Sequence, residues 1–446
     1  MKRLVFFLAV MWGLLVACLS GPGLEHPDAL DQKSQEISFP LCRFAVLADL
    51  HYYDPTLGVN GRAFYNEVLS ASKLFHLSSE LLWQALSELK QEKGLAFIII
   101  CGDLTKDGER INHLRLAEHL SQIEKTGIQV FVVPGNHDLA NPFARSYSGE
   151  STPQLESVSP AEFAAIYAPF GYSQALFRDS DSLSYVVEPV AGLWLFALDS
   201  TTSYKNTAQR LSSAGYLKDS TLRWLEESLK KAYAQGKLTM GMMHHGLLEH
   251  FKGQKKYFPD FVIDNSEQVT NLLATNGLKL LFSGHFHAQD ITLKRFNANH
   301  FIFDIETSSL ITYPHAYRLV DLEQGEVRIT TRSISSLASL ADFKLYSFSV
   351  LWNSTYSNLK NRLKPYGFSS SDLILLLPQV ARALASHFKG DEESPPLPIK
   401  TDGLSLKARL MLFFIDDLIR GIRQDLPPFD NNLLINAKNG DFRPID

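Results

Sequence analysis

Five apolar runs in this chain each stop on residues that bind metals or carry protons, and that regularity constrains the fold more than any other feature. Residues 43–48 lead into Asp49-Leu50-His51, 97–100 into Gly102-Asp103, and 130–133 into Gly135-Asn136-His137-Asp138. Further on, 238–243 lead into His244-His245 and 278–282 into Gly284-His285-Phe286-His287. Short apolar runs rich in β-branched and aromatic residues read as buried strands. Between them, residues 79–90, 111–123, 221–234 and 266–275 carry apolar side chains at helical spacing. Strands alternating with helices build a sheet covered by helices. Open sheets of that kind hold ligands at the carboxyl ends of their strands, so the pattern predicts an α/β fold with its chemistry along one sheet edge.

The segment 141–181 shows no period and reads as an insertion, followed by strands at 184–187 and 193–198. Beyond His287, the runs 301–305, 317–322 and 327–331 read as successive antiparallel strands that close the domain. Helical patterns then occupy 341–363, 371–389 and 405–426, with Gly390 as a stop signal and a joint at Pro395-Pro396-Leu397-Pro398. Pro378 is expected to kink the middle helix. The third is apolar nearly all round, which suits a helix buried against others. The expected organisation is a signal segment at 1–17, a tether at 18–38, an α/β domain at 39–334 and a helical domain at 335–446.

A composition of 45% hydrophobic and 20% charged residues suits folded domains rather than disorder. The 43 basic and 48 acidic residues leave a net charge of −5 without a basic stripe, so long nucleic acid is not an expected partner. At the N-terminus, Lys2-Arg3 precede an uncharged run over 4–17, signal-peptide sized and short of the roughly 20 residues that span a bilayer. It ends in Leu15-Val16-Ala17-Cys18, which resembles a bacterial lipobox and implies lipidation at Cys18, membrane attachment and an extracytoplasmic location. If Asp49 and Asp103 meet, Cys42 and Cys101 are offset by about five residues of strand, about 17 Å. A disulfide needs Cα atoms within about 7 Å, so both read as small buried strand residues.

Carboxylate, imidazole and amide oxygen are donors for Mn²⁺, Fe or Zn²⁺. Asp49, His51, Asp103, Asn136, His285, His287 and one of His244 and His245 suffice for two ions sharing one carboxylate. The two-residue spacing of Asp49 with His51, and of His285 with His287, sends both side chains to one side of an extended backbone. Any one of these motifs occurs in ordinary turns; the order, each after an apolar strand, carries the reading. That order of D-x-H, G-D, G-N-H-D, H and G-H-x-H resembles the calcineurin-like metallophosphoesterases, from about residue 43 to 287. The stretches 48–52, 134–145 and 182–186 and the helical tail look like the lipid-anchored class III cyclic-nucleotide phosphodiesterases of Gram-positive bacteria.

The resemblance implies a four-layer α/β/β/α sandwich followed by an all-α accessory domain. It implies that Asp49, His51 and His287 hold one metal, that Asn136, His244 and His285 hold the other, and that Asp103 bridges them. His245 competes with His244, which comes first after its strand. Two ions sharing a water would make it a nucleophile toward phosphorus, and His137 would protonate the leaving alkoxide. The implied substrate is a small phosphodiester, with cyclic nucleotides leading. The alternatives are a broad phosphomonoesterase or phospholipid-headgroup esterase, and a non-catalytic lipoprotein stabilised by metal.

Departures sharpen the class. Purple acid phosphatases carry a metal-binding tyrosine, and some phosphodiesterases an orienting aspartate, where this chain has Lys106, which leaves Asp107 or Asp138 to orient His137. Asn136-His137-Asp138 also differs from the Asn-His-Glu of 5′-nucleotidases. Arg145 could contact phosphate in two-pronged fashion or sit in a surface salt bridge. Tyr52 and Tyr53 could stack on a base or pack, with packing favoured, and His113 and His119 are expected to be solvated.

Overall fold

Strands form where the apolar runs lie, because each run is buried on both faces. β1 (Cys42–Leu47), β2 (Leu95–Cys101) and β3 (Gln129–Val133) pair in parallel, joined by α1 (Arg62–Ala71), α2 (Ser78–Gln91) and α3 (Arg110–Glu124). A second sheet contains β4 (Phe177–Arg178), β5 (Tyr185–Val190), β6 (Leu193–Leu198), β7 (Leu238–Met243), β8 (Leu280–Ser283), β9 (Asp290–Arg295) and β10 (Phe301–Glu306). The helices packed on it are α5 (Asp219–Ala234) and α7 (Ser266–Thr275), while α4 (Pro160–Ile166) packs on α3 through Phe163 and α6 (Gln254–Tyr257) is a single turn before α7. The chain then returns to the first sheet through β11 (Ala316–Glu323), antiparallel to β1, and β12 (Glu326–Ser333). This computed structural model describes residues 39–392, 398–414 and 416–445.

The two sheets pack face to face. Phe44 of β1 stacks on Phe97 of β2 at 4.8 Å and meets Phe282 of β8 edge-on at 5.5 Å. On the outer face of the second sheet, Trp194, Phe196 and Leu198 are buried against Leu222, Leu225 and Leu229 of α5 and Leu273 of α7. Leu81, Ala85 and Leu89 of α2 with Leu116 and Leu120 of α3 join the core of the first. The result is the expected helix, sheet, sheet, helix sandwich followed by a helical region.

That region comprises α8 (Phe343–Leu363), α9 (Ser370–Lys389), α10 (Leu406–Phe414) and α11 (Asp416–Ile422). α9 opens on a reciprocal cap between Ser369 and Asp372 and ends at Gly390, whose φ of 64° suits a helix stop; it is helical on both sides of Pro378. Most of the Pro-rich joint, the signal segment and Cys18 lie outside the described residues. Among the described residues, no helix is long and apolar enough to cross a membrane.

Three expectations need correction. The run at 301–306 is not an antiparallel neighbour of the next strand: β10 belongs to the second sheet, parallel to β8 and antiparallel to β9, while β11 lies in the first. Sequence spacing cannot show a strand changing sheets. The pattern at 405–426 is two short helices, and Leu406, Leu410, Phe413 and Phe414 are exposed while Ala408 faces inward. An all-round apolar helix presents some face to solvent when only one side meets a partner. Nor does the chain stay helical to its end, since β13 (Leu433–Asn436) and β14 (Phe442–Pro444) extend the first sheet beyond β12.

The returning segment is held by buried Arg318 on β11. Its guanidinium donates to the carbonyls of Glu306 (2.6 and 3.1 Å), Asp430 (2.6 Å) and Asp290 (3.3 Å), tying both sheets to the last loop. Leu433 and Ile435 are fully buried. Each such side chain contributes about 1.5–3 kcal/mol, against a total of roughly 5–15 kcal/mol for a domain. A chain ending at Arg423 is therefore expected to be insoluble or to melt far below the full chain; thermal unfolding tests this, and an unchanged melting temperature would contradict it.

Candidate metal centre

The ligand-type residues stand where the backbone leaves each strand, and the turns there are strained. Asp49, His51, Asp103, His285 and His287 all have left-handed backbone, with φ of 50°, 40°, 47°, 77° and 66°, so turns and not the expected extended backbone bring Asp49 to His51 and His285 to His287. Outside glycine that conformation costs on the order of 1 kcal/mol or more per residue, least for polar residues such as Asp, Asn and His. Pairing continues past the strands and offsets it: Asp49 N donates to Gly102 O (3.1 Å), His51 N to Asp103 O (2.9 Å) and Gly284 N to His244 O (3.0 Å).

Glycines precede the ligands because the ligands fill the space of a side chain. A Cβ on Gly135 would lie 2.2 Å from Asp103 Oδ1, one on Gly284 2.5 Å from Asp49 Oδ2, and one on Gly102 2.6 Å from His244 Nδ1. The Gly-Asp, Gly-Asn-His-Asp and Gly-His-x-His spellings are thus packing requirements between neighbouring loops.

Two donor groups result. Asp49, His51 and His287 form one: His51 Nε2 lies 3.4 Å from His287 Nε2 and 3.8 Å from Asp49 Oδ1, and His287 Nε2 is 3.1 Å from Asp49 Oδ1. In the other, His244 Nε2 lies 3.0 Å from Asn136 Oδ1, and the His285 ring packs against that of His244 at 4.7 Å. Asp103 Oδ2 sits between them, 3.6 Å from His51 Nε2 and 3.4 Å from His244 Nε2. Asp49 Oδ1 is buried with no hydrogen-bond donor. A buried carboxylate oxygen without a donor, facing imidazole nitrogens, is what a metal ligand looks like, so the set fits two cations of the Mn²⁺, Fe or Zn²⁺ type.

His245 also lies in this neighbourhood, but both ring nitrogens are engaged: Nδ1 with Ser200 Oγ at 2.7 Å and Nε2 with Ser213 O at 3.0 Å. His244 directs only Nδ1 away from the centre, to Cys101 O at 2.9 Å, and turns Nε2 inward toward Asn136 and Asp103. Burial, with the His244 charge, lowers His245 to about 3. His244 goes the other way: burial alone would lower it, yet the Asp103 carboxylate lifts it to about 9.

His137 stands at the open side of the centre, 26% exposed, with Nε2 4.0 Å from Asp103 Oδ2 and Nδ1 2.9 Å from Asp107 Oδ1. Asp107 is its orienter, steadied by Lys106 Nζ and by Asn141, whose amide also donates to His137 O at 3.0 Å. Asp138 does different work, accepting from the backbone of Gly135, Leu104 and Thr105 at 2.8–3.0 Å. Burial alone would lower the pKa of His137, but Asp103 and Asp107 outweigh it against Lys73 and raise it.

Other expected residues lie apart. The Arg145 guanidinium donates to Phe143 O (3.2 Å) and rests over the Phe143 ring, with no contact to the seven ligands. Tyr52 and Tyr53 are buried packing residues, bonded to His119 and to the carbonyls of Leu57 and Gly58. His113 is not solvated: it is buried between Thr105, Tyr167 and the Asp138 carbonyl, because α3 turns it against the site loops. Cys42 and Cys101 are buried free thiols. The sequence reading missed Lys73, which reaches His51, and the half-buried rings of Phe258, Phe261 and Phe286; a lone lysine in a loop carries no pattern. A cavity of about 690 Å³ beside Asp199 and Tyr204 is lined by none of the ligands.

The family model for calcineurin-like phosphoesterases matches residues 42–289, more than half of the chain, and the chain belongs to that family. No curated protein matches it. Among solved structures it is similar to a dimetal phosphatase from Danio rerio, at 16% identity and a TM-score of 0.44 over 66% of this chain and 96% of that one. It is also similar to a purple acid phosphatase from yellow lupin, at 11% identity and a TM-score of 0.40 over 66% and 52% of the respective chains.

Metals and protons compete for this centre. Because His244 holds its proton up to about 9 without metal, loading at pH 7.5 should release about one proton per chain and weaken as pH falls; calorimetry in buffers of different ionisation enthalpy measures it. Asp107→Asn should keep the metals, lower kcat about tenfold to a hundredfold and move the alkaline limb of the kcat profile to lower pH. Asp107 raises the pKa of His137, so removing that carboxylate lets the imidazole lose its proton earlier; an unmoved limb would contradict this.

Proposed function

We propose that the chain hydrolyses small phosphodiesters at this centre, cyclic nucleotides foremost. The observation that carries the reading is His137, fixed by Asp107 on one ring nitrogen and open to the centre on the other. Two bound divalent or trivalent ions supply positive charge against phosphate oxygens and an activated water.

The residues do the remaining work. The Asp107 carboxylate accepts a hydrogen bond from Nδ1–H of His137, which leaves an Nε2 proton facing the centre for the leaving alkoxide. Asn141 holds both partners, and Lys106 balances the charge of Asp107, with its other contact to Glu67 at 3.2 Å. Phe261 packs on His285 at 4.7 Å and on Phe286 at 4.6 Å, so a half-buried aromatic wall adjoins the second donor group. Flat bases stack on such walls, which favours a nucleotide over an aliphatic headgroup. Attachment to the outer face of the cell membrane through Cys18 belongs to the same reading.

The test uses the Mn²⁺-loaded full chain with bis(p-nitrophenyl) phosphate, p-nitrophenyl phosphate, and 3′,5′-cyclic and 2′,3′-cyclic nucleotides. Diesters should turn over faster. His137→Ala should keep bound metal yet lose about 10²–10⁴ in kcat on cyclic nucleotides, and far less on p-nitrophenyl esters, whose leaving group needs no proton. Turnover of monoesters alone would transfer the reading to a phosphomonoesterase, and metal binding without turnover to a structural centre. Membrane-bound activity released by Cys18→Ser supports the anchor; activity that stays in place removes it.

A further inference from the structure

Lys73 follows the end of α1, where Ser72 turns the chain with a φ of 56°. The next residue is tied down, with Leu74 N donating to Ile311 O at 2.9 Å. Ser309 and Leu310 in turn donate to the carbonyls of Asp49 and Ala48 at 2.7 and 3.3 Å. The backbone beside Lys73 is therefore fixed to the end of β1, and its side chain reaches the centre: Nζ lies 2.8 Å from His51 Nε2. Among the described residues, no other Lys or Arg contacts any of the seven ligands, and Lys73 makes no direct ion pair, although Asp103, Asp49 and Asp107 act on its charge from further off.

That His51 nitrogen is the one facing Asp49, Asp103 and His287. A ligand's lone pair serves a metal or an ammonium, not both. In the loaded centre Lys73 gives up its one acceptor while its backbone remains anchored, and an inward ammonium without an acceptor is costly. An anion beside the metals removes that cost. Lys106 cannot supply this charge, being matched by Asp107 and Glu67, and Arg145 rests on Phe143.

We propose that Lys73 binds a non-bridging oxygen of the substrate phosphoryl group, as the anion-recognition residue of this centre. The inference rests on the hydrolase reading above and adds a residue outside the ligand motifs. A charge-assisted hydrogen bond of this kind stabilises both bound phosphate and the more highly charged transition state.

The Mn²⁺-loaded full chain is compared with Lys73→Met and Lys73→Arg by bound manganese per chain, calorimetric binding of orthophosphate and kcat/KM on bis(p-nitrophenyl) phosphate. Lys73→Met should retain the metals, bind orthophosphate about tenfold to a hundredfold more weakly and lose a similar factor in kcat/KM, with Lys73→Arg recovering most of both. Should the Met variant not fold, Lys73→Gln carries the same comparison. Unchanged orthophosphate affinity overturns the proposal, and so does loss of manganese, which would make Lys73 part of the metal support. A wild-type chain that binds orthophosphate through Lys73 but turns nothing over sinks the hydrolase reading and leaves the anion site standing. Turnover with phosphate binding independent of Lys73 sinks this inference alone.

Discussion

Everything in this fold converges on the carboxylate of Asp103. One oxygen accepts the backbone N–H of His137 at 2.9 Å, and the other lies within 4.0 Å of His51, His137 and His244. Burial by itself would raise the pKa of this carboxyl; His244 first, then His137 and His51, hold it well below the usual range instead. A buried carboxylate is tolerable only among cationic groups. The strands that deliver those groups come from both sheets, β1 to β3 from one and β7 and β8 from the other. The two sheets must therefore pack with their strand ends in register, and the aromatic contact of Phe44 with Phe282 is part of what sets that packing.

The cost of the arrangement is concentrated in the turns. Left-handed backbone at five ligands, and loops so close that three glycines have no room for a Cβ, could not persist on a mobile scaffold. They sit at the ends of strands that are buried toward their carboxyl ends and whose hydrogen bonding continues into the loops. Substituting Gly135 or Gly284 would disturb the neighbouring loop's ligand before its own, since the displaced atoms are the oxygens of Asp103 and Asp49.

Much of the centre was legible because its spelling is local. Asp49, His51, Asp103, Asn136, His244, His285 and His287 each follow an apolar run, and a strand end can be recognised within a few residues. What escaped was whatever depends on the third dimension. His113 looked like a solvated helix residue until α3 was placed against Tyr167. The choice between Asp107 and Asp138 turned on direction, since Asp138 adjoins His137 in sequence and Asp107 lies 30 residues away, yet only Asp107 faces its ring. β13 has four residues, too few to show a period, and is a strand because β12 offers it an edge. The outward apolar face of α10 shows the opposite failure, in which composition suggested burial that no partner supplies.

The cations near the centre divide by what already neutralises them. Lys106 is buried, paired with Asp107 and Glu67 and roofed by the rings of Phe75 and Tyr147, so its charge serves the orientation of His137. Arg145 follows the motif but rests on its own loop. Lys73 belongs to no motif and lies 22 residues from the ligand it touches, yet it is the cation that reaches a ligand without a direct carboxylate partner. Sequence proximity to a motif is therefore a poor guide to phosphate recognition here, because an anion responds to unneutralised charge at the centre.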